Sequence, residues 1–135
     1  MALTSVQLAS ADTYILDDNN TTLTNPQIAD DGETNAIVSS GTAGTYVQGT
    51  MTVLGDSTIN NSNRLELPAA ITADAPYTIT KIGSGQLLFM NDSSAVGKIV
   101  VNEGTVIGLR ISLMTLARLE FVPDARRRLL LELYD

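Results

Sequence analysis

The chain has no cysteine, no histidine and no tryptophan among its 135 residues. Without cysteine there are no disulfides, no thiolate metal ligands and no cysteine nucleophile. Without histidine the chain lacks the most common general base and the most common zinc ligand, and a Ser-His-Asp triad is excluded. These absences predict a protein with no catalytic residues, no cofactor and no metal.

Basic residues are scarce in most of the chain. Residues 1–109 contain 11 acids and three bases, whereas residues 110–135 contain four acids and five bases. Because binding to a phosphate backbone requires Lys and Arg, we predict that the acidic part of the chain binds no nucleic acid.

Long apolar runs are also missing. None approaches the roughly 20 residues that a membrane-spanning helix requires, so no membrane-spanning segment is predicted. The first residues, Met1–Val6, have neither the basic segment nor the continuous apolar stretch of a signal peptide. Secretion would therefore require a leader removed from this sequence, or another route.

Residues 11–108 are typical of β-structure. Thr and other β-branched residues are abundant, and turn residues separate short alternating or apolar runs. Aromatics make up 4% of the sequence against 44% hydrophobic residues, so the core must come mainly from Val, Ile, Leu and Ala. The spacing of the runs suits a sandwich, a barrel or a solenoid. The predicted strands over the middle of the chain begin at Thr50, Ser57, Arg64, Tyr77, Gln86 and Lys98.

The composition changes after residue 108. Residues 109–135 contain no Gly or Asn and are rich in Leu and Arg. Leucines recur at helical spacing from Leu113 to Leu119, and Pro123 is a suitable break before a second Leu/Arg-rich run. We therefore predict a body over residues 1–108 and a tail of two short helices. The alternative is that Leu116–Val122 continues the sheet.

A glycine-spaced motif occupies residues 80–106. Thr80-Lys-Ile-Gly-Ser-Gly-Gln-Leu-Leu-Phe89 is followed by Gly97-Lys-Ile-Val-Val-Asn-Glu-Gly-Thr-Val106. This motif resembles the autotransporter-associated β-strand repeat: Lys-x-Gly-x-Gly-x-Leu-x-Leu, a polar stretch, an alternating strand, then x-x-Gly-Thr-Leu. Phe89 and Val106 replace leucines of the pattern and keep an apolar side chain there. The positions in register are Lys81, Gly83, Gly85, Leu87, Gly97, Val101, Gly104 and Thr105.

The resemblance implies an all-β fold, a right-handed parallel β-solenoid in the passenger of a bacterial autotransporter or a similar surface protein. We expect a short helical C-terminal cap; the alternative fold is a β-sandwich. Coils of about twenty residues or slightly more would give roughly four to five coils across residues 11–108. The resemblance also implies an extracellular or cell-surface location. The predicted structural turn glycines are Gly83, Gly85, Gly97 and Gly104, with φ > 0 at Gly83 or Gly85.

Alternation with a period of two predicts which side chains form the core. The predicted core residues are Leu87, Phe89, Ile99, Val101 and Val106. The side chains predicted to point the other way are Gln86, Leu88, Lys98 and Val100. Burial of both Leu88 and Val100 would mean that something packs on the outside of the solenoid.

Polar and aromatic clusters offer further candidate sites. The acidic runs Asp17–Asn20 and Asp30–Glu33 carry oxygen ligands suited to calcium, but they lack EF-hand spacing and are interpreted as solvated turns. A polysaccharide-cleaving site needs two carboxylates at a defined separation, and no spacing singles out a pair. The carboxylates available by type are Asp56, Asp74, Asp92 and Glu103. The aromatic residues that would form a sugar-stacking ladder, or pack in the core, are Tyr14, Tyr46, Tyr77 and Phe89.

The sequence thus predicts a non-enzymatic structural or adhesive stalk segment. The alternatives are a self-assembling filament subunit and a polysaccharide-active β-helix enzyme. Expected partners are further copies of the chain at the solenoid ends, giving a homo-oligomer, and a surface glycan or protein ligand. Arg126–Arg128 and the leucines after it are predicted to cap an open solenoid end, the alternative being a membrane surface or an acidic partner.

Overall fold

The structure is a computed structural model that describes residues 13–30, 35–91, 95–108, 119–121 and 127–131, the last two ranges as strand backbone. Its strand pairings are all parallel, and no helix occurs in these residues. The strands are β1 (Tyr14–Leu16), β2 (Thr22–Thr24), β3 (Gln27–Ile28), β4 (Ile37–Ser39), β5 (Thr45–Gln48), β6 (Thr50–Val53), β7 (Ser57–Asn61), β8 (Arg64–Leu67), β9 (Ala70–Ala73), β10 (Thr78–Ile82), β11 (Gln86–Phe89), β12 (Lys98–Val101), β13 (Gly104–Gly108), β14 (Leu119–Phe121) and β15 (Arg127–Leu131).

The strands form three sheets that the chain visits in turn. The first sheet has the order β1-β4-β7-β10-β12-β14, the second β15-β13-β11-β8-β5-β2, and the third β3-β6-β9. Each strand inside a sheet therefore pairs with the strand one coil earlier and one coil later, which is the topology of a parallel β-solenoid. The coils are numbered by their strand in the first sheet, so that β1, β4, β7, β10 and β12 lie in the first to fifth coils. The predicted solenoid is confirmed, and the sandwich, built from antiparallel sheets, is excluded.

The register gives the length of each coil. In the first sheet Ile15 pairs with Val38, Val38 with Asn60, and Thr80 with Val100, so one coil measured along this sheet takes 20 to 23 residues. The chain makes about four turns from β1 to β12. This agrees with the coil length and number predicted from the sequence.

Inward-facing side chains of the sheets form one hydrophobic core. Stacked aliphatic positions run through it, as where Leu65 pairs with Leu87 and Leu87 with Val106. Removing this apolar surface from water is the main drive for stacking one coil on the next. The cluster contains Leu87, Phe89, Ile99, Val101 and Val106.

The outward positions of β11 and β12 are less uniform. Gln86 and Lys98 are exposed and Val100 is half-buried. Leu88, by contrast, is only 3% exposed although it lies outside the core cluster. The outward face of β11 is therefore covered at Leu88, but because Val100 is only half-buried, the condition for packing on the outside of the solenoid is met at one of its two positions.

The described part of the tail consists of strands in place of the predicted helices. Leu119 pairs with Ile99 in the first sheet, and Leu129 pairs with Val106 in the second. The alternative of a continued sheet therefore holds at Leu119–Phe121. The physical reason is that a solenoid edge presents unpaired backbone groups, and pairing with them outweighs the modest helix preference of Leu and Arg. The other residues of the predicted tail lie outside the described ranges.

Candidate functional site

Polar side chains collect at the corner where each coil passes from the first sheet to the second. The chain turns there because Asp, Asn, Ser and Gly interrupt the apolar alternation. Stacking of the coils brings these turns into one column, which we call the polar corner. Its turns are Asp17–Asn20, Ser39–Gly44, Asn61–Asn63, Gly83–Gly85 and Asn102–Gly104.

Asn63 joins the turns of the second and third coils. Its Nδ2 donates to the carbonyl oxygens of Ser40 at 3.1 Å and Ala43 at 2.9 Å, while its Oδ1 accepts from Ser39 Oγ at 2.9 Å. Ser39 Oγ lies 2.5 Å from Thr45 Oγ1 inside the coil. Asn63 thus supplies hydrogen-bond donors to the carbonyls of Ser40 and Ala43, which lie in the turn of the preceding coil.

Asn61 fills the same corner from inside the third coil. It is fully buried, and its Nδ2 donates to Asn63 O at 2.8 Å and to Gln86 O at 2.9 Å, so it links the third coil to the fourth. Its Oδ1 is buried and has no hydrogen-bond partner among the described residues. The residue therefore stabilises the corner through its donors while leaving one acceptor unsatisfied.

Lys81 pairs with Ile59, two residues before Asn61, and its side chain reaches the corner of the fourth coil; it is also fully buried. Its Nζ donates to Ile82 O at 2.8 Å and to Gly83 O at 2.6 Å. Among the described residues, no carboxylate forms an ion pair with this amine. Burial of a cation held by carbonyls alone disfavours its charged form.

Burial accordingly lowers the pKa of Lys81. Desolvation lowers its pKa from 10.5 to about 8, and the negative charge of Glu103 acts in the opposite direction. Glu103 Oε1 itself accepts the Gly83 N–H at 3.1 Å. Lys81 from inside and Glu103 from the next coil therefore hold the same glycine, one at its carbonyl and the other at its amide.

The burial of Lys81 was not predicted, although a signal for it was present. In β10 the residues Thr78-Ile-Thr-Lys-Ile82 alternate, so an inward Ile79 requires an inward Lys81. The register places Lys81 between Ile59 of the third coil and Val101 of the fifth. Its aliphatic stem lies within the core while its amine reaches the turn.

Three of the four predicted turn glycines lie in the polar corner. Gly83 and Gly104 have φ of +85° and +81°, a region that favours glycine. Gly85 is constrained by space instead, because a Cβ there would lie 2.1 Å from Asn63 O. Gly97 lies outside this corner and has the same constraint, with a Cβ 2.2 Å from Pro76 O.

Asp18, at the start of the column, caps the turn of the second coil. Its Oδ1 accepts the N–H groups of Thr42 at 2.8 Å and Ala43 at 3.0 Å, and its Oδ2 accepts the Thr42 hydroxyl at 3.2 Å. The two backbone bonds, first that of Ala43, lower the pKa of Asp18. Both carboxylate oxygens of Asp18 therefore accept hydrogen bonds from the second coil, whereas a calcium site would need them as ligands.

The other acidic candidates also bind neighbouring backbone. Asp30 Oδ1 accepts Thr58 N–H at 2.6 Å, and Asp56 Oδ1 accepts Thr78 N–H at 2.9 Å, each from the following coil. Within the described ranges no three acidic residues are grouped so as to hold a metal ion. Residues 31–33 of the second acidic run lie outside those ranges.

The candidate catalytic carboxylates do not converge on the polar corner. A hydrogen bond to Asp74 is the main cause that raises the pKa of Tyr77, with burial and the charges of Asp74 and Asp56 adding to it. Asp56 and Asp74 thus lie near one tyrosine, whereas Glu103 lies at Gly83. Asp92 is outside the described residues.

The four aromatic candidates occupy different environments. Phe89 is fully buried, and Tyr14 and Tyr77 pack against the core while partly buried. Only Tyr46 among them is counted as exposed, at 39%, on the outward face of β5. The structure therefore does not bring them together as a ladder for sugar stacking.

The resemblance to the autotransporter-associated repeat rests on residues 80–106 alone, and their Lys-x-Gly-x-Gly motif forms the part of the polar corner around Lys81. The described residues include no helix of the length and apolar character needed to cross a membrane. Comparison of the chain with protein-family models, with curated proteins and with solved structures gives no match.

Proposed function

We propose that this chain is a non-enzymatic structural or adhesive stalk segment of a bacterial surface or secreted protein. The observation that carries the proposal is the stacking of coils in register, in two six-stranded parallel sheets around one core. Such a fold grows in one direction by adding coils and presents long, regular faces. The right-handed winding of passenger-type solenoids is part of the proposal, as the motif at residues 80–106 implies.

The hydrogen bonds of the polar residues support a scaffold role. Asn63, Asp18 and Asp30 each form at least one side-chain hydrogen bond with the backbone of a neighbouring coil. Side-chain bonds of this kind hold one coil to the next, as a stalk requires.

Force spectroscopy on the chain flanked by marker domains tests the structural part of the proposal. Because the parallel ladders join every coil to the next, we expect the chain to give a distinct unfolding peak. The variant Asn63→Ala, which loses the bonds to Ser40 O and Ala43 O, should unfold at lower force. Extension without a peak would contradict a load-bearing stalk.

Three further assays separate the adhesive, enzymatic and filament-forming alternatives. Beads coated with the chain should adhere to glycan or protein surfaces if the stalk is adhesive, and should not if it is only a spacer. Release of reducing sugars from a polysaccharide panel would establish the enzyme in place of the stalk. Size-exclusion chromatography distinguishes a filament subunit, whose apparent mass rises steadily with concentration, from a discrete species.

A further inference from the structure

The buried amine of Lys81 lies where the fourth coil is joined to the fifth. Asn102 N–H donates to Lys81 O at 3.0 Å, and Thr105 N–H donates to Gly85 O at 3.0 Å. These bonds cross from one coil to the next on either side of the turn that the amine holds. We call the turn Gly83–Gly85 with these two bonds the joint.

The surroundings of the amine leave its charge with little compensation. β7 and β12 place Ile59 and Val101 beside Lys81, and β13 contributes Gly104, none of which carries a charge. Glu103 is the titratable group that acts on Lys81 within the described residues, and its carboxylate bonds the Gly83 amide. A cation in such a site is more stable after it reaches water.

We propose that Lys81 makes this joint sensitive to protons: the joint opens more readily when the amine is charged and stays closed when it is neutral. Opening would separate β12 and the strands after it from β10, and so uncouple the C-terminal coils from the rest. This pH sensitivity would regulate the contact between coils, and it does not depend on whether the surface of the solenoid is adhesive.

The direction of the pH effect follows from the pKa of Lys81 in the closed and the open joint. In the closed joint the pKa of Lys81 is about 8, and in an open, hydrated joint it returns toward 10.5. The open state therefore binds a proton more tightly, so protons favour opening. The opening constant is highest below pH 8 and falls by up to about two orders of magnitude as the pH rises toward 10.5.

Hydrogen exchange by NMR on the whole chain tests the proposal. Exchange rates of the Asn102 and Thr105 amides are measured from about pH 7 to pH 10 and divided by the intrinsic rate at each pH, giving opening constants. We expect these constants to fall by up to about two orders of magnitude. The Tyr46 and Thr52 amides, which bond Thr21 O and Pro26 O in the first two coils, serve as internal references and should not follow the same course.

Two variants assign the effect to the amine. Lys81→Met keeps a long side chain without a charge, and its opening constants at the joint should be independent of pH. Ile59→Met changes the neighbouring buried position of the same ladder and should retain the wild-type pH dependence. A pH dependence that persists in Lys81→Met, or that is equal at the reference amides, overturns the proposal.

A measurement on the unaltered chain keeps the proposal testable if Lys81→Met fails to fold. The Lys81 Cε resonance reports the protonation of the adjacent amine directly. A titration midpoint about two pH units below that of lysine in an unfolded peptide supports the proposal. A midpoint equal to that of the unfolded peptide overturns it.

Discussion

Lys81 and Gly104 meet across the boundary between the fourth and fifth coils: a Cβ on Gly104 would lie 2.7 Å from Lys81 Nζ. The same atom would lie 2.4 Å from Gly83 O and 2.6 Å from Gly85 O. The absence of a side chain at Gly104 thus makes room for the lysine and for the turn that it holds.

We expect Gly104→Ala to destabilise the protein by more than about 1 kcal/mol, because it adds a steric conflict to an unfavourable φ. The matched control is Gly44→Ala in the same corner, where the nearest atoms to a Cβ are 3.7 Å away. Urea denaturation of both variants measures the difference. Equal unfolding free energies for the two variants would show that the corner accommodates the methyl group.

Alternation along the strands predicts the inward positions of β11 and β12, because the side-chain period of a strand is fixed by its backbone. Alternation alone is compatible with a sandwich as well as with a solenoid, and it is the glycine-spaced motif around Gly83 that favours the solenoid. The inward position of Lys81 follows from the same alternation, but its bonds to the turn depend on a backbone path that no local pattern specifies.

The tail shows why some elements of the fold could not be predicted from the sequence. Leu and Arg favour helix intrinsically, and Leu129 has no neighbours in sequence that indicate a strand. Its pairing with Val106 depends on an edge supplied by residues far earlier in the chain. Likewise, the apolar run Leu87–Phe89 points to a covered outward face at Leu88, but no local pattern specifies what covers it.

Asp18→Ala should reduce the acid sensitivity of the fold. The native pKa of Asp18 is lowered, so its stabilising effect is present above the unfolded value of 3.8 and is lost as the pH falls through the native value. Unfolding free energies measured from about pH 6 to pH 2 should therefore decline less in the variant than in the wild type.

The control for this experiment is Asp17→Ala, which removes a neighbouring carboxylate that bonds Asn19 and Asn20 within its own turn. It does not disturb the bonds from Asp18 to the second coil. If the variants at both positions and the wild type lose stability in parallel on acidification, the contribution assigned to Asp18 is wrong.

Asn61→Ala should lower the free energy of unfolding by about 2 kcal/mol, because the carbonyls of Asn63 and Gln86 lose their donor inside the corner. The neighbouring residue Asn60 is half-buried and belongs to the alternate set of β7, so Asn60→Ala is the comparison at nearly the same place in the chain. Chemical denaturation should show the larger loss for Asn61→Ala. The reverse order would mean that the unsatisfied Oδ1 of Asn61 costs more than its donors contribute.

The strands of the tail cover edges that would otherwise be open. β14 pairs with β12 and β15 with β13, so removing residues 109–135 leaves both of these strands with unpaired N–H and C=O groups and exposes the apolar core between them. Open edges of this kind favour association between chains. We therefore expect the truncated chain to aggregate or to lose any defined oligomeric state in size-exclusion chromatography.

A shorter truncation makes the test specific to the edges. Removal of residues 122–135 retains β14 and exposes only β13, so we expect association weaker than that of the full truncation. Lower melting temperatures should follow the same order, because each lost strand removes one set of ladder hydrogen bonds. If the chain without residues 109–135 keeps the size and melting temperature of the whole protein, the tail does not cap the solenoid, and its strands contribute nothing measurable to the fold.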